Sequence, residues 1–223
     1  MWVYAKDEVA LSWEPHPESE QAAWLTANCE AIERDDWWLS VFYPHVGRIL
    51  HPARNGRDAV SWAQVAAHTG VTLEADTVFA DFLGHDRDDP NYEIPGLYDE
   101  RPWLDLLPDD VLEALLAILT PQPEWGLIWP DTAGLERLLQ QAASFADDQP
   151  HRTPYRMLRR TTETVDRELT GRGPNIWWPD DRSWCIYTGI DFDWTLIGTR
   201  SPTLFDRLTT DPAIEMLTPS ARP

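Results

Sequence analysis

The C-terminal part of the chain alternates between strand-like and helix-like patterns, and this order restricts the fold most. The segment PNIWWPDD is followed by RSWCIYTGID and DWTLIGT, which are rich in aromatic and β-branched residues, as strands are. Ser201 and Pro202 then provide an N-cap and a first helical residue. Two strands followed by a helix are typical of an α+β domain. We predict such a strand–strand–helix unit over about 174–210.

Patterns upstream extend this architecture. Apolar residues at helical spacing predict four helices, in ESEQAAWLTANCEAIERDD, in WAQVAAHTG after the cap Ser61, in DVLEALLAILT with Asp109 as its cap, and in LERLLQQAASF after Asp131. Aromatic and β-branched runs predict extended segments at WWLSVFYP, VGRILHP, EWGLIWP and PYRMLRRT. The strand PYRMLRRT would split its arginines, with Arg156 and Arg160 on one face and Arg159 on the other. We predict a single α+β domain over 1–223, with a central, mostly antiparallel sheet of about five strands and helices packed on it.

The charge of the chain limits its partners. Eighteen basic residues against 38 acidic residues give a formal net charge of −20. Such a chain repels nucleic acid and anionic lipid, so a basic protein is the expected partner, with neither nucleic acid nor membrane. The sequence contains no signal-peptide pattern and no apolar run of about 18 residues. Cys29 and Cys185 stand far apart without metal-ligand spacing, which predicts reduced thiols, no cofactor and a cytoplasmic location.

A long acidic loop, over about 84–108, is the first candidate site. Its residues HDRDDPNYEIPGLYDE alternate carboxylates with tyrosine, isoleucine and leucine. Carboxylates steer the encounter with a basic partner and aromatic anchors prolong the complex. The predicted partner-binding residues are Asp88, Asp89, Tyr92, Glu93, Tyr98 and Asp99. The alternative is a solvated loop whose tyrosines pack on the core.

A carboxylate group near the C-terminus is the second candidate. Asp191 and Asp193 alternate as two residues on one face of a strand do, and Asp181 lies upstream. Paired carboxylates on a strand hold Mg²⁺ or Mn²⁺ in transferases. The alternative is a solvated strand face or turn caps.

The turn after two tryptophans is the third candidate. Trp177 and Trp178 could form a stacking platform while Arg182 anchors an anion. The alternative is that both tryptophans belong to the core. His51 lies near the end of the segment RILHP. It is either a general base or a structural histidine at a strand end, and the lack of a nucleophile motif favours the structural histidine.

Four segments together resemble a family of uncharacterised actinobacterial proteins: GRILHPA, VSWAQVAAHTG, PGLYDERPWLDLLPDDVLEALLAIL and GPNIWWPDDRSWCIYTGIDFDWTLIGT. The most specific part is the block PNIWWPDDRSWC followed by the GID strand. This chain departs from the resemblance at LIGTR, where the family tends to have YVGGS. The resemblance implies lineage and fold, and it implies no activity.

No complete catalytic set is present, so we expect a non-catalytic acidic binding protein, of the kind that inhibits a basic toxin or nucleic-acid enzyme as an immunity protein or antitoxin does. The alternative is a metal-dependent transferase or hydrolase that uses Asp181, Asp191 and Asp193. A binder of small molecules at the tryptophan-rich end is a third possibility.

Overall fold

The structure is a computed structural model that describes residues 13–26, 37–86, 93–105, 107–119, 123–128, 142–145, 155–160 and 174–219. Its strands are β1 (Glu14–Pro15), β2 (His45–Leu50), β3 (Ala53–Asn55), β4 (Asp58–Val60), β5 (Glu124–Ile128), β6 (Ser144–Phe145), β7 (Tyr155–Arg160), β8 (Ile176–Pro179), β9 (Trp184–Thr188), β10 (Trp194–Thr199) and β11 (Met216–Leu217). Its helices are α1 (Ala23–Thr26), α2 (Trp62–Thr69), α3 (Asp109–Ile118) and α4 (Pro202–Thr210), with 3₁₀ turns at Glu20–Ala22, Trp38–Val41 and Phe79–Asp86.

Nine of these strands form one antiparallel sheet in the order β1-β7-β5-β8-β9-β10-β2-β11, with β6 paired to β7. The strands β3 and β4 form a separate hairpin. Helices beside a large antiparallel sheet confirm the predicted α+β class. The predicted number of about five strands is wrong. The segments expected to be extended contain β2, β5 and β7, and the C-terminal unit contains β9 and β10. The short β1, β6 and β11 are two-residue pairings without a local pattern.

The segment WWLSVFYP is not extended as predicted. Trp38–Val41 form a 3₁₀ turn, and the consecutive side chains of Trp37, Trp38 and Leu39 are all buried. A strand would direct neighbouring side chains to opposite faces. The turn instead directs this aromatic run into the core on one side of the sheet.

Each face of the sheet carries a core. On one face α2 and the 3₁₀ turns cover Leu50, Leu127, Trp178, Tyr187 and Leu196. On the other face α3 and α4 cover Ile49, Ile128, Trp177, Ile186 and Ile197. A sheet covered on both faces explains why every residue of β9 and β10 is buried. Among the described residues, no helix has the length and apolar character needed to cross a bilayer.

The helix ends follow local chemistry. Ser61 and Gln64 form the capping box of α2, and Gly70 ends this helix with a φ of 77°. Ser201 caps α4 as predicted, accepting the Leu204 N–H at 3.2 Å. The predicted cap Asp109 is instead the first helical residue of α3, since Pro108 occupies the cap position. The helix predicted in LERLLQQAASF is wrong at its end, because Ser144–Phe145 form the strand β6 by pairing with β7; the rest of this segment before residue 142 lies outside the described residues. The first predicted helix beyond Thr26 also lies outside them.

Candidate functional site

The β9–β10 turn meets the segment before α3 at one end of the sheet. The Asp105 N–H donates to the Phe192 carbonyl at 3.1 Å, and the Asp105 carboxylate accepts the N–H of Asp191. Asp105 and Asp191 have φ angles of 67° and 63°, in the left-handed region that costs most residues energy. Such conformations cluster at functional sites.

These two segments expose apolar side chains beside carboxylates. Trp103, Leu104 and Ile190 are 40%, 49% and 37% exposed. They are three of the four exposed large hydrophobic residues in the part of the chain that the structure describes; the other is Val41. The Trp103 indole N–H donates to Glu100 Oε1 at 2.8 Å, which fixes the ring beside a carboxylate. We define the acidic patch as these apolar residues with three carboxylates: Trp103, Leu104, Ile190, Glu100, Asp105 and Asp191.

A buried polar chain lies beneath the patch. His51 Nδ1 is 2.8 Å from the Trp103 carbonyl, which can only accept, so this nitrogen carries the proton. Nε2 therefore accepts from the Thr195 hydroxyl at 2.9 Å, and Thr195 accepts from the Thr188 hydroxyl at 2.8 Å. Burial lowers the pKa of His51 to about 4, so the imidazole is neutral at physiological pH. This chain anchors the Trp103 backbone to β10.

A second set of contacts holds the β9–β10 turn through Asp193 and Arg48. Asp193 lies within the electrostatic influence of Arg48, and its carboxylate accepts the Phe79 N–H. Burial raises the pKa of Asp193 to about 6, although the charges of Arg48 and Arg101 oppose this shift. The Arg48 guanidinium lies 4.5 Å from the Trp194 ring centroid and donates to the Ala75 carbonyl at 2.8 Å. The turn is therefore preorganised by groups that are themselves buried.

The structure supports only some of the predicted partner-binding residues as exposed side chains. Asp88, Asp89 and Tyr92 lie outside the described residues. Glu93 is exposed as expected. Tyr98 was predicted to be an exposed anchor, but it is 1% exposed, and its ring packs 5.6 Å from that of Phe79. Asp99 is exposed, yet its carboxylate accepts the Gly56 N–H at 3.0 Å and so stabilises the β3–β4 turn.

The three carboxylates of the proposed metal site do not come together. Asp181 lies in the β8–β9 turn, whereas Asp191 and Asp193 lie in the β9–β10 turn, at the opposite end of β9. Asp191 and Asp193 are thus turn residues, and they do not lie on a strand face. Within the described ranges no group of three or more His, Cys, Asp or Glu side chains could hold a metal ion.

The proposed stacking platform is also not formed. Trp177 and Trp178 are adjacent on β8, so their rings lie on opposite faces of the sheet, where each is buried in a different core. The structural alternative is therefore correct for both tryptophans. Arg182 does contact an aromatic ring, but that ring belongs to Trp24, 5.6 Å from the guanidinium.

Two of the three arginines of β7, Arg159 and Arg160, form ion pairs, whereas Arg156 donates to the Ser144 hydroxyl. Arg159 binds both oxygens of Asp180, at 2.5 and 3.0 Å, and lies 3.9 Å from the Trp125 centroid. Arg160, on the opposite face, forms a buried ion pair with Glu124. Burial raises the pKa of Glu124, whereas the bonds from Arg159 lower the pKa of Asp180. The predicted split of the arginines is confirmed.

Sequence reasoning missed Trp103, Leu104 and Ile190. Trp103 and Leu104 belong to the predicted acidic loop, but an irregular segment has no period from which exposure can be inferred. Ile190 lies in a segment that was assigned to a strand. No protein-family model, curated protein or solved structure matches this chain. The resemblance to an actinobacterial family therefore stays a prediction.

Proposed function

We propose that this protein is a non-catalytic acidic binding protein that covers a cationic surface of a basic protein, as an immunity protein or antitoxin does. The observation that carries the proposal is the acidic patch, in which exposed apolar side chains are surrounded by carboxylates. Apolar anchors with a charged rim are the arrangement that protein interfaces use. The predicted anchors Tyr92 and Tyr98 are replaced in this proposal by Trp103, Leu104 and Ile190.

The rigidity of the patch supports the proposal. His51 and Thr195 fix the backbone of Trp103, and Asp105 fixes the turn that bears Ile190. An interface whose backbone is already held in place loses less conformational entropy when it binds. A partner surface with lysine or arginine around an apolar cleft fits this patch best.

The charge of the whole chain supports the class of partner. A formal charge of −20 attracts a basic protein over distances well beyond contact and repels nucleic acid. An inhibitor with this charge would compete with nucleic acid for the cationic site of its target. We further propose that the protein acts in the cytoplasm, where a buried free thiol such as Cys185 stays reduced.

For the test, the unchanged protein and its variants are immobilised as matched baits and incubated with an actinobacterial lysate at low salt. We expect the unchanged protein to retain a basic polypeptide that a salt step releases. Trp103→Ala should lose most of this retention, because an aromatic anchor contributes about 2 kcal/mol or more to many interfaces. Val41→Ala is the control, since Val41 is 58% exposed and lies outside the acidic patch.

The captured protein is then purified and its association rate is measured against NaCl concentration. We expect the rate to fall steeply with salt, and the Glu100→Gln variant to associate more slowly than the unchanged protein. The proposal fails if no basic polypeptide is retained. Equal retention by the Trp103→Ala and Val41→Ala baits would contradict the role of the patch.

A further inference from the structure

Two arginines, Arg182 and Arg200, lie at the end of the β9–β10 strand pair that is opposite the acidic patch. Trp184 of β9 pairs with Thr199 of β10, and just beyond them the Arg200 N–H donates to the Ser183 carbonyl at 3.0 Å. Arg182 precedes Ser183 and has a φ of 52°, in the left-handed region. The hairpin pairing therefore brings the two arginines together, and Arg182 adopts an unfavourable backbone conformation there.

Each guanidinium rests on an aromatic ring. The Arg182 guanidinium carbon lies 5.6 Å from the Trp24 centroid, and that of Arg200 lies 5.9 Å from the Tyr43 centroid. Within the described residues, neither guanidinium forms a hydrogen bond or an ion pair. Contact with a ring orients a guanidinium without using its N–H groups, so these donors remain available.

A buried hydroxyl completes the cluster. Tyr43 is 2% exposed, and its hydroxyl has no hydrogen-bond partner among the described residues. The Trp24 indole N–H is also buried, and it has no partner in the part of the chain that the structure describes. The Trp24 and Tyr43 ring centroids are 6.4 Å apart, so the two rings and the two guanidinium groups on them form one cluster. An unpartnered buried polar group costs about 1–3 kcal/mol, a cost that a ligand would remove.

The backbone makes room for this tyrosine. A Cβ built on Gly198 of β10 would approach the Tyr43 ring to 2.6 Å, so the ring lies directly against the glycine. This close approach holds the ring over β10, beside the residue that leads to Arg200. The position of the hydroxyl is thus set by the strand, as a preorganised site requires.

The chemistry of these groups selects the ligand. Guanidinium and indole groups donate and cannot accept, and a tyrosine hydroxyl can donate as well. The nearby Asp181 carboxylate accepts the Ser183 N–H at 2.8 Å within its own turn. We propose that Tyr43, Trp24, Arg182 and Arg200 form a binding site for a small oxyanion, namely a phosphate or carboxylate group. This site is independent of the acidic patch.

The test follows the Trp24 indole N–H by NMR while inorganic phosphate, or acetate in a separate arm, is added at constant ionic strength. We expect one of the two anions to move this resonance, assigned with Trp24→Phe, in a saturable way at millimolar concentration. The Arg182→Gln and Arg200→Gln variants should each weaken the affinity about tenfold, because each loses charge-assisted hydrogen bonds. Arg57→Gln, at an exposed turn residue, removes the same charge and should leave the affinity unchanged.

Tyr43→Phe gives an independent readout. It removes a hydroxyl that has no partner within the described ranges, so the variant should be as stable as the unchanged protein or more stable without anion, yet bind the anion several-fold more weakly. The arm that shows binding distinguishes a phosphate site from a carboxylate site. The proposal is overturned if neither anion moves the indole resonance, or if both arginine variants bind as the Arg57→Gln control does.

Discussion

At the scale of single residues, His51 connects the stability of the protein with the geometry of the acidic patch. Its side chain is fully buried, it donates to the Trp103 carbonyl, and it accepts from Thr195. The bond from Thr195 requires the neutral ring, because a protonated imidazole has no acceptor for the threonine hydroxyl, whereas the donation from Nδ1–H to Trp103 is possible in either form. Protonation of His51 must therefore break a bond beneath the patch.

The pKa of His51 predicts how stability depends on pH. Burial lowers the pKa from 6.5 to about 4, so the unfolded chain binds this proton more readily than the folded protein does. The contribution is fully present above pH 6.5 and is lost as the pH falls towards about 4. Urea unfolding across this range should show a loss of about 3 kcal/mol from this group. NMR titration of the His51 ring near its ordinary pKa in the folded protein would contradict this prediction.

Asp193 provides the matched control, because its pKa is shifted the other way. Its pKa is raised to about 6, so its contribution is present below 3.8 and is lost as the pH rises through about 6. On acidification Asp193 therefore offsets part of the loss that His51 causes. The Asp193→Asn variant lacks this offset, and its free energy of unfolding should fall more steeply between about pH 7 and pH 4.

At the scale of elements, α2 shows which contacts a sequence reveals. Ser61 directly precedes the helix, so this cap was predicted from the sequence, and its capping-box partner Gln64 lies only three positions further on. The first N–H groups of the helix are instead bound by Glu215, which accepts from Trp62 at 2.6 Å and from Ala63 at 2.8 Å. No local pattern predicts a cap that is more than 150 residues away, since it depends on the pairing of β11 with β2.

The Glu215 cap should contribute measurably to stability. Glu215→Ala leaves two N–H groups at the start of α2 without their carboxylate, and we expect a loss of about 1–3 kcal/mol. Glu215→Gln keeps an amide oxygen and should lose less. Urea unfolding measures both changes, and faster hydrogen exchange at Trp62 and Ala63 would locate them. Asp206→Ala, at an exposed position of α4, is the control and should change little.

The same distinction between local and distant contacts explains the other outcomes. Ser201 and Pro202 begin α4 as predicted because both signals are local. Tyr98 and Trp103 both lie in the acidic loop, yet one is buried and the other exposed. Tyr98 packs on Phe79 and the Trp103 backbone is held by His51, and both partners come from other elements. Exposure in an irregular segment is set by such contacts, so the acidic region could be predicted and its anchors could not.

At the scale of the whole molecule, the two proposed sites lie at opposite ends of the same strands. The β9–β10 turn bears part of the acidic patch, and Arg182 and Arg200 flank the other end of this strand pair. At one end Glu100 and Asp191 are exposed beside apolar side chains, and at the other end Arg182 and Arg200 lie near the exposed Asp181. A basic partner and a small oxyanion would therefore bind at separate ends, and neither would block the other.

The net charge predicts that salt affects folding and binding in opposite directions. At a net charge of −20, repulsion among carboxylates opposes the compact state. Because NaCl screens this repulsion, it should raise the free energy of unfolding measured with urea. We expect a gain on the order of 1 kcal/mol between low and moderate ionic strength, since that is the size of one close charge pair in water. Choline chloride should have the same effect if screening is the cause, whereas a gain with Na⁺ alone would indicate specific cation binding. The same salt should slow association with a basic partner, because screening weakens attraction as well as repulsion. A fold that salt weakens would contradict the argument, as it would mean that favourable ion pairs outweigh the excess of negative charge.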